Sequence, residues 1–393
     1  MTEAKVYHSR NLQIILGVTL MSVMGVASII PALPEMSEAW GVSDQAIGLL
    51  ITAFTIPGVG LTPFLGILAD RLGRKRILVP CLFLFGIAGG ACAFAGNFAA
   101  SLMLRVLQGI GGSALGAIAL TVIGDLFSGQ RRAQAMGYNA GTVSIALAGY
   151  PAIGGAMALM GSSYPFLLSF LAIPIGFLAL TTLRNPEPRT EESLGSYLGG
   201  TWQYLKKLRG VGVSAATVLI FILHYGAYLY LFVIFLGEEP YHASTFVIGI
   251  ILSSMSVTAA LISSQMGRIT RRFSPTTLIK AAFPLYGLAL VLIPLMPGLW
   301  FFFLPTAVIG IAQGIITPSI MTEIAGLAPL EHRAAFMSLN VMMLRLGQTL
   351  GPPLIALAYS CTSLENAFFV AAILALAATP IAITLGRLLQ RQG

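Results

Sequence analysis

Five charges fall within eleven residues, Gly66-Ile67-Leu68-Ala69-Asp70-Arg71-Leu72-Gly73-Arg74-Lys75-Arg76, between two long apolar segments. In so short a turn the four cations can lie against lipid headgroups. Asp70 can pair with a guanidinium or face the positive end of a neighbouring helix. Gly66 and Gly73 suit close packing and a sharp turn. Elsewhere the ionisable groups are sparse. Arg105 and Arg345 fall inside apolar runs, where an arginine costs ~2.5–3.5 kcal/mol on insertion scales, so each is a functional candidate by default. His224 lies near the middle of another run. It titrates near neutral pH and can carry a proton or serve as a hydrogen-bonded core residue. Asp125 and Glu323 stand near the ends of runs, and Glu35 follows Pro31 and Pro34.

No pattern points to covalent chemistry. There is no Walker loop, so ATP hydrolysis is not expected as an energy source. No nucleophile elbow is present. The four histidines are not paired at metal-ligand spacing, and Cys81, Cys92 and Cys361 lie in or beside apolar segments as small core residues. The chain is expected to be neither an enzyme nor a carrier of a metal or cofactor.

The elements that must position these residues follow from composition. The chain has 393 residues, 56% apolar and 9% charged, where a soluble domain carries about 25% charged residues. Twelve apolar runs, at about 11–31, 46–68, 77–96, 98–124, 133–160, 164–183, 212–236, 244–266, 276–296, 299–324, 334–359 and 365–386, are long enough to cross ~30 Å of hydrocarbon as helices. The expected class is an all-α membrane protein, with the first run a retained helix. The net charge of +8 does not imply nucleic acid. Apart from Arg105 and Arg345, and Lys280 just inside the start of the ninth run, the Lys and Arg residues fall at the termini or in alternate loops. The intervening loops hold Glu35, Glu38, Asp44, Glu238, Glu239 and Glu365. The positive-inside rule then puts both termini in the cytoplasm, in a multi-pass protein of the inner membrane.

The two halves repeat at an offset of 201 residues. Arg132-Ala133-x-x-Met136-x-x-Asn139 recurs as Arg333-Ala334-x-x-Met337-x-x-Asn340, Pro151 maps onto Pro352 and Gly66 onto Gly267. A duplicated six-helix unit is expected, with bundles at 1–183 and 212–393. The segment 184–211 between them reads as a linker. Its Leu194, Leu198, Trp202, Leu205 and Leu208 stand at helical spacing, as in an amphipathic helix on the inner leaflet.

The Gly66–Arg76 segment closely resembles the loop between the second and third helices of major facilitator superfamily transporters. The resemblance extends over essentially the whole chain, nearest to the drug:proton antiporter branch. It implies a twelve-helix fold of two pseudo-symmetric bundles and no bound cofactor, with a proton gradient as energy source. Gly66, Asp70, Arg71, Gly73 and Arg74 would form a gate clamping the halves on the cytoplasmic side in the outward-open state, with Asp125 as partner of Arg74. Arg105-Val106-Leu107-Gln108-Gly109-Ile110-Gly111-Gly112 resembles the family's helix-4 motif, whose arginine is implicated in proton transfer or substrate handling; a purely structural arginine is the other reading. Gly149-Tyr150-Pro151 resembles the antiporter motif of helix 5, with Tyr150 departing from its usual glycine. Arg345-Leu346-Gly347-Gln348-Thr349-Leu350-Gly351-Pro352 carries the more regular form.

In transporters built from such repeats the substrate sits near the midplane between the halves. Phe54, Arg105, Gln108, Tyr138, Asn139, Tyr150, His224, Tyr228, Asn340, Met342 and Arg345 are expected to line that pocket. Proton coupling would run through Arg105, His224, Asp70, Glu35 or Glu323, since no carboxylate is evident at the membrane centre. The expected function is export, as a monomer, of small amphiphilic compounds by alternating access, driven by inward proton flow. Two arginines in one cavity favour anionic or zwitterionic cargo, which leaves open a lipid or lysolipid flippase or an exporter of an anionic metabolite. A non-transporting sensor or scaffold on the same fold is the alternative of another class.

Overall fold

The structure is a computed structural model that describes residues 6–184, 208–327 and 333–390. The amphipathic linker expected at 184–211 falls almost wholly outside the described residues. Among those described, all regular structure is helical. Eleven helices are long and apolar enough to cross a membrane: α1 Arg10–Trp40, α2 Asp44–Leu72, α3 Arg74–Phe94, α4 Phe98–Leu126, α5 Gly129–Ala158, α6 Tyr164–Thr182, α7 Gly210–Gly237, α8 Thr245–Ser264, α9 Pro275–Leu295, α10 Leu299–Ile324 and α11 Leu339–Cys361. The twelfth, α12, is Leu364–Gln390. The chain is a multi-pass integral membrane protein, and the twelve expected runs become these twelve helices.

Local chemistry sets the boundaries. Asn97 caps α4 by accepting from Ala100 N–H at 2.8 Å, and Ser244 and Ser274 cap α8 and α9 in the same way. Gly73 (φ 103°) makes the turn between α2 and α3. Gly66, by contrast, would accept a side chain with nothing within 4 Å, so its expected close packing is not found. The first span was expected to end near residue 31. Its α-helix breaks after Ala27, passes through a 3-10 turn at Ile30–Ala32 and resumes over Leu33–Trp40. Pro31 and Pro34 lack the N–H groups a continuous helix needs, yet fit the first turns of new ones.

Two ends of the bundle can be told apart by their contacts. At the terminal end, Asn11 donates to the Arg184 carbonyl at 2.9 Å and Lys75 to the Leu183 carbonyl at 3.0 Å. At the distal end, Tyr241 donates to the Met296 carbonyl at 2.9 Å.

The 201-residue repeat recurs in three dimensions. Thr62 donates to the Ser113 carbonyl and Ser263 to the Gly314 carbonyl, both at 3.0 Å. Gly109 abuts the Phe54 carbonyl, and Gly310 abuts the Met255 carbonyl. Thr19 donates to Asn139 at 2.6 Å, and Thr217 to Asn340 at 2.9 Å. The last six spans thus repeat the internal packing of the first six.

The two sets of spans meet along a seam. Among the described residues, the hydrogen bonds crossing it run from the distal end to mid-membrane: Tyr230 to the Asp44 carbonyl, Thr245 to the Gly155 carbonyl, Thr52 to the Thr349 carbonyl, and Thr349 to Thr55. Glycines let the backbones approach here. Gly155 meets Thr245, Gly249 meets Pro151, and Gly48 meets Pro352. The last two contacts are equivalent under the 201-residue offset. Toward the terminal end, Gly60, Gly137 and Gly141 have nothing within 4 Å of a notional Cβ.

Candidate functional site

The α2–α3 turn holds a compact charge cluster. Gly73 ends α2 and lets α3 begin at once, which puts Arg74 one helical turn beyond Asp70. The Arg74 Nε and Nη2 donate to Asp70 Oδ1 at 3.3 and 3.2 Å, and Nη1 pairs with Asp125 Oδ2 at the end of α4. Arg74 is buried and Arg71 exposed. One guanidinium thereby ties two carboxylates of the first six spans together at the terminal end.

Arg105 lies in the interior of those spans with no exposed surface. Its Nη1 donates to the Gly25 carbonyl at 2.7 Å and to Gln108 Oε1 at 2.6 Å, and its Nε to the Leu50 carbonyl at 3.1 Å. The guanidinium lies 4.4 Å from the Phe54 ring centroid and 5.9 Å from that of Phe166. Gln108 passes the chain on to Ser169 at 2.9 Å. Arg105, Gln108 and Phe54 therefore join α1, α2, α4 and the start of α6. They do not line an open pocket in this conformation, as their types had suggested.

Arg345 stands at the seam itself. Its stem lies across Gly58 of α2, 3.1 Å from where a Cβ would stand, and its Nη1 donates to Gln348 at 3.1 Å. Thr349, one turn on, bonds Thr55, so the Met342–Arg345–Thr349 face of α11 turns toward α2. Tyr225 of α7 is within electrostatic reach of the guanidinium. That neighbour comes from a π-helical stretch, Leu223–Leu231, where Gly226 and Gly351 bring the α7 and α11 backbones into contact. Such stretches often mark functional positions.

The same stretch sets His224 inside the second set of spans. His224 Nδ1 is 3.1 Å from the Tyr286 hydroxyl, which donates to Gln313 Oε1 at 2.9 Å. With its one proton committed to Gln313, that hydroxyl accepts from Nδ1–H and leaves Nε2 as the basic nitrogen. Tyr228 stacks on His224 at 5.7 Å and is fully buried, so it faces the bundle interior and not the seam.

The other candidates are dispersed. Asn139 and Asn340 are buried against Thr19 and Thr217. Tyr150 is buried, Met342 is half-buried, and Tyr138 is exposed with its ring 5.6 Å from that of Tyr7. Glu323 accepts from Thr276 at 2.6 Å at the terminal end. Glu35 is half-buried in the distal extension of α1. Nearby, burial, then Asp44 through charge and a hydrogen bond, then Glu38, raise the affinity of the Glu238 carboxylate for a proton. Sequence reasoning missed Tyr286, Gln313, Thr55, Gly58 and Tyr225. A signal existed for two of them: Tyr286 and Gln313 replace Phe85 and Gly112 of the first copy, placing polar groups in apolar spans.

Comparison with known proteins agrees with this architecture. The model of the Major Facilitator Superfamily matches residues 15–239 and 216–391. The quinolone resistance protein NorA of Staphylococcus aureus is 25% identical over 336 residues, 84% of each chain. The bacillibactin exporter of Bacillus subtilis is 38% identical over 125 residues, covering 30% of this chain and 31% of that protein. Among solved structures, a bacterial homologue of the human lysosomal transporter Spinster, inward-facing and unoccupied, superposes with a TM-score of 0.82 at 17% identity, covering 98% of both chains. The nucleoside transporter NupG superposes with a TM-score of 0.77 at 14% identity, covering 95% of this chain and 99% of that one. The chain is not an enzyme: with its twelve helices, its internal repeat and a family match that spans both copies, it belongs to the Major Facilitator Superfamily of membrane transporters.

Proposed function

We propose that the protein exports small amphiphilic, drug-like molecules across the cytoplasmic membrane by alternating access, driven by proton entry. The carrying observation is the seam: its hydrogen bonds and glycine contacts run from the distal end to mid-membrane. With the basic loops and both termini on the cytoplasmic side, a molecule closed at the distal end faces inward. Residues 1–183 then rock against 212–393, parting the distal seam as the terminal ends meet. The relation to NorA over 84% of its length supports drug-like cargo.

Two clusters take roles in this cycle. Asp70, Arg74 and Asp125 form a rigid corner at the cytoplasmic end of the first bundle, against which the second bundle closes. His224 is the proton carrier, since Tyr286 and Gln313 hold its ring and leave Nε2 available. Arg105 acts as a structural staple.

The test is flux in proteoliposomes with an imposed pH gradient. A fluorescent amphiphile should move against its concentration gradient, and a protonophore should stop it. His224→Ala should abolish uphill movement while leaving downhill exchange intact. Uphill transport that survives His224→Ala sinks the proton assignment, and gradient-independent movement sinks antiport.

A further inference from the structure

The two intramembrane arginines differ in how they are satisfied. Arg105 makes three hydrogen bonds, to two carbonyls and a glutamine, and lies against two aromatic rings, which leaves only its Nη2 without an acceptor. Arg345 has one donor on Gln348, its Nε is buried without an acceptor, and no carboxylate pairs with it among the described residues. A buried cation without a counter-charge is costly unless something supplies one.

The fold does not call for a cation at this place. The equivalent position in the first copy is Ser144, which bonds back to the Ala140 carbonyl of its own helix at 3.1 Å. Under the Arg345 stem α2 places Gly58, which has no side chain to pair with it. Arg345 is half-buried, where the α2–α11 contacts of the seam end in mid-membrane. Its partner across the seam belongs to the other bundle, so rocking changes which end of the molecule the guanidinium addresses.

We propose that Arg345 is the anion subsite of the transport pathway, so that the cargo is an amphiphile bearing a carboxylate, sulfonate or phosphate group. The anion takes the unfilled guanidinium edge, for which a planar fork of donors is well shaped. The apolar body of the cargo lies along the Met342 face of α11. The proposal rests on the transporter reading and names the charge of what is carried.

The test uses two fluorescent probes of equal size and opposite charge: 1-pyrenebutyrate and a pyrenylbutyl trimethylammonium. Binding to purified protein in detergent is read by fluorescence anisotropy. Wild type should prefer the anion. Arg345→Met should weaken anion binding about tenfold or more, the scale of a lost charge-assisted hydrogen bond, without weakening the cation. Its thermal unfolding midpoint should equal or exceed that of wild type, since an unpaired buried charge has gone. Unchanged anion affinity, a wild-type preference for the cation, or a lower midpoint overturns the subsite. Arg345→Lys keeps the charge without the fork and should retain the preference for anion over cation at lower affinity. A folded Arg345→Lys with no preference overturns the proposal even if Arg345→Met cannot be purified.

Pyrenebutyrate flux in proteoliposomes separates the two readings. Arg345-dependent binding without flux keeps the subsite and sinks transport. Flux indifferent to Arg345→Met keeps transport and sinks the subsite. Competition identifies the source of the anion. Displacement of pyrenebutyrate by lysophosphatidylglycerol, lost in Arg345→Met, assigns a lipid headgroup. Displacement only by short-chain free carboxylates assigns a soluble metabolite.

Discussion

At the scale of single residues, the sequence marks Arg105 and Arg345 alike, as cations in apolar spans. Each bonds the glutamine three residues on, and only three-dimensional packing separates the wired one from the open one, because the two further acceptors of Arg105 are backbone carbonyls, which no side-chain pattern reveals. Arg105→Ala should destabilise the protein by ~3 kcal/mol or more, through a cavity and lost charge-assisted bonds. Unfolding in detergent checks this; a stable variant that fails only in transport would restore a functional role. Glycines divide in the same way. Gly154 is jammed against the Ser28 carbonyl, whereas Gly66 meets nothing. Gly154→Ala should lower stability by ~1–3 kcal/mol as an overpacked contact, and Gly66→Ala should be silent in the same assay.

At the scale of elements, hydropathy made the twelve helices legible, while the break in α1 and the π-helical stretch of α7 were not. The first is a proline effect, visible once Pro31 and Pro34 are treated as new helix starts. The second depends on backbone contact between Gly226 and Gly351, which lie far apart in sequence. The α2–α3 turn was legible through Gly73. Its φ of 103° makes Gly73→Ala costly, by ~1–3 kcal/mol, and the variant should loosen the Asp70–Arg74–Asp125 corner. Faster hydrogen exchange at residues 70–76 is the readout. The distal loops carry a pH dependence. Partial desolvation, and then Asp44, make Glu238 take up a proton more readily than when free. The contact therefore favours the closed distal end at acid pH and loses that contribution as pH rises through the elevated value. Protection of the distal seam, measured between pH 4 and 7, should fall with rising pH in wild type and flatten in Glu238→Gln.

At the scale of the whole molecule, the duplication was legible because Arg132 and Arg333, or Pro151 and Pro352, stand at one offset. The side on which the halves meet was not legible, since either end of such a bundle can close. If the distal seam must part in each cycle, a bridge across it stops transport. In a background with Cys81, Cys92 and Cys361 replaced by alanine, Thr55→Cys with Thr349→Cys should cross-link, because the native hydroxyl oxygens are 3.0 Å apart. Oxidation should then halt flux and a reductant restore it; continued flux in the oxidised form would mean that this seam does not open. The seam has a further consequence. Gly48 against Pro352 and Gly249 against Pro151 are one contact made twice, as in the isologous interface of a two-fold homodimer. In a true homodimer every substitution appears on both subunits at once. A fused pair escapes that rule, so Arg345 can stand in one copy while Ser144 remains in the other, and a symmetric frame can hold a one-sided charge.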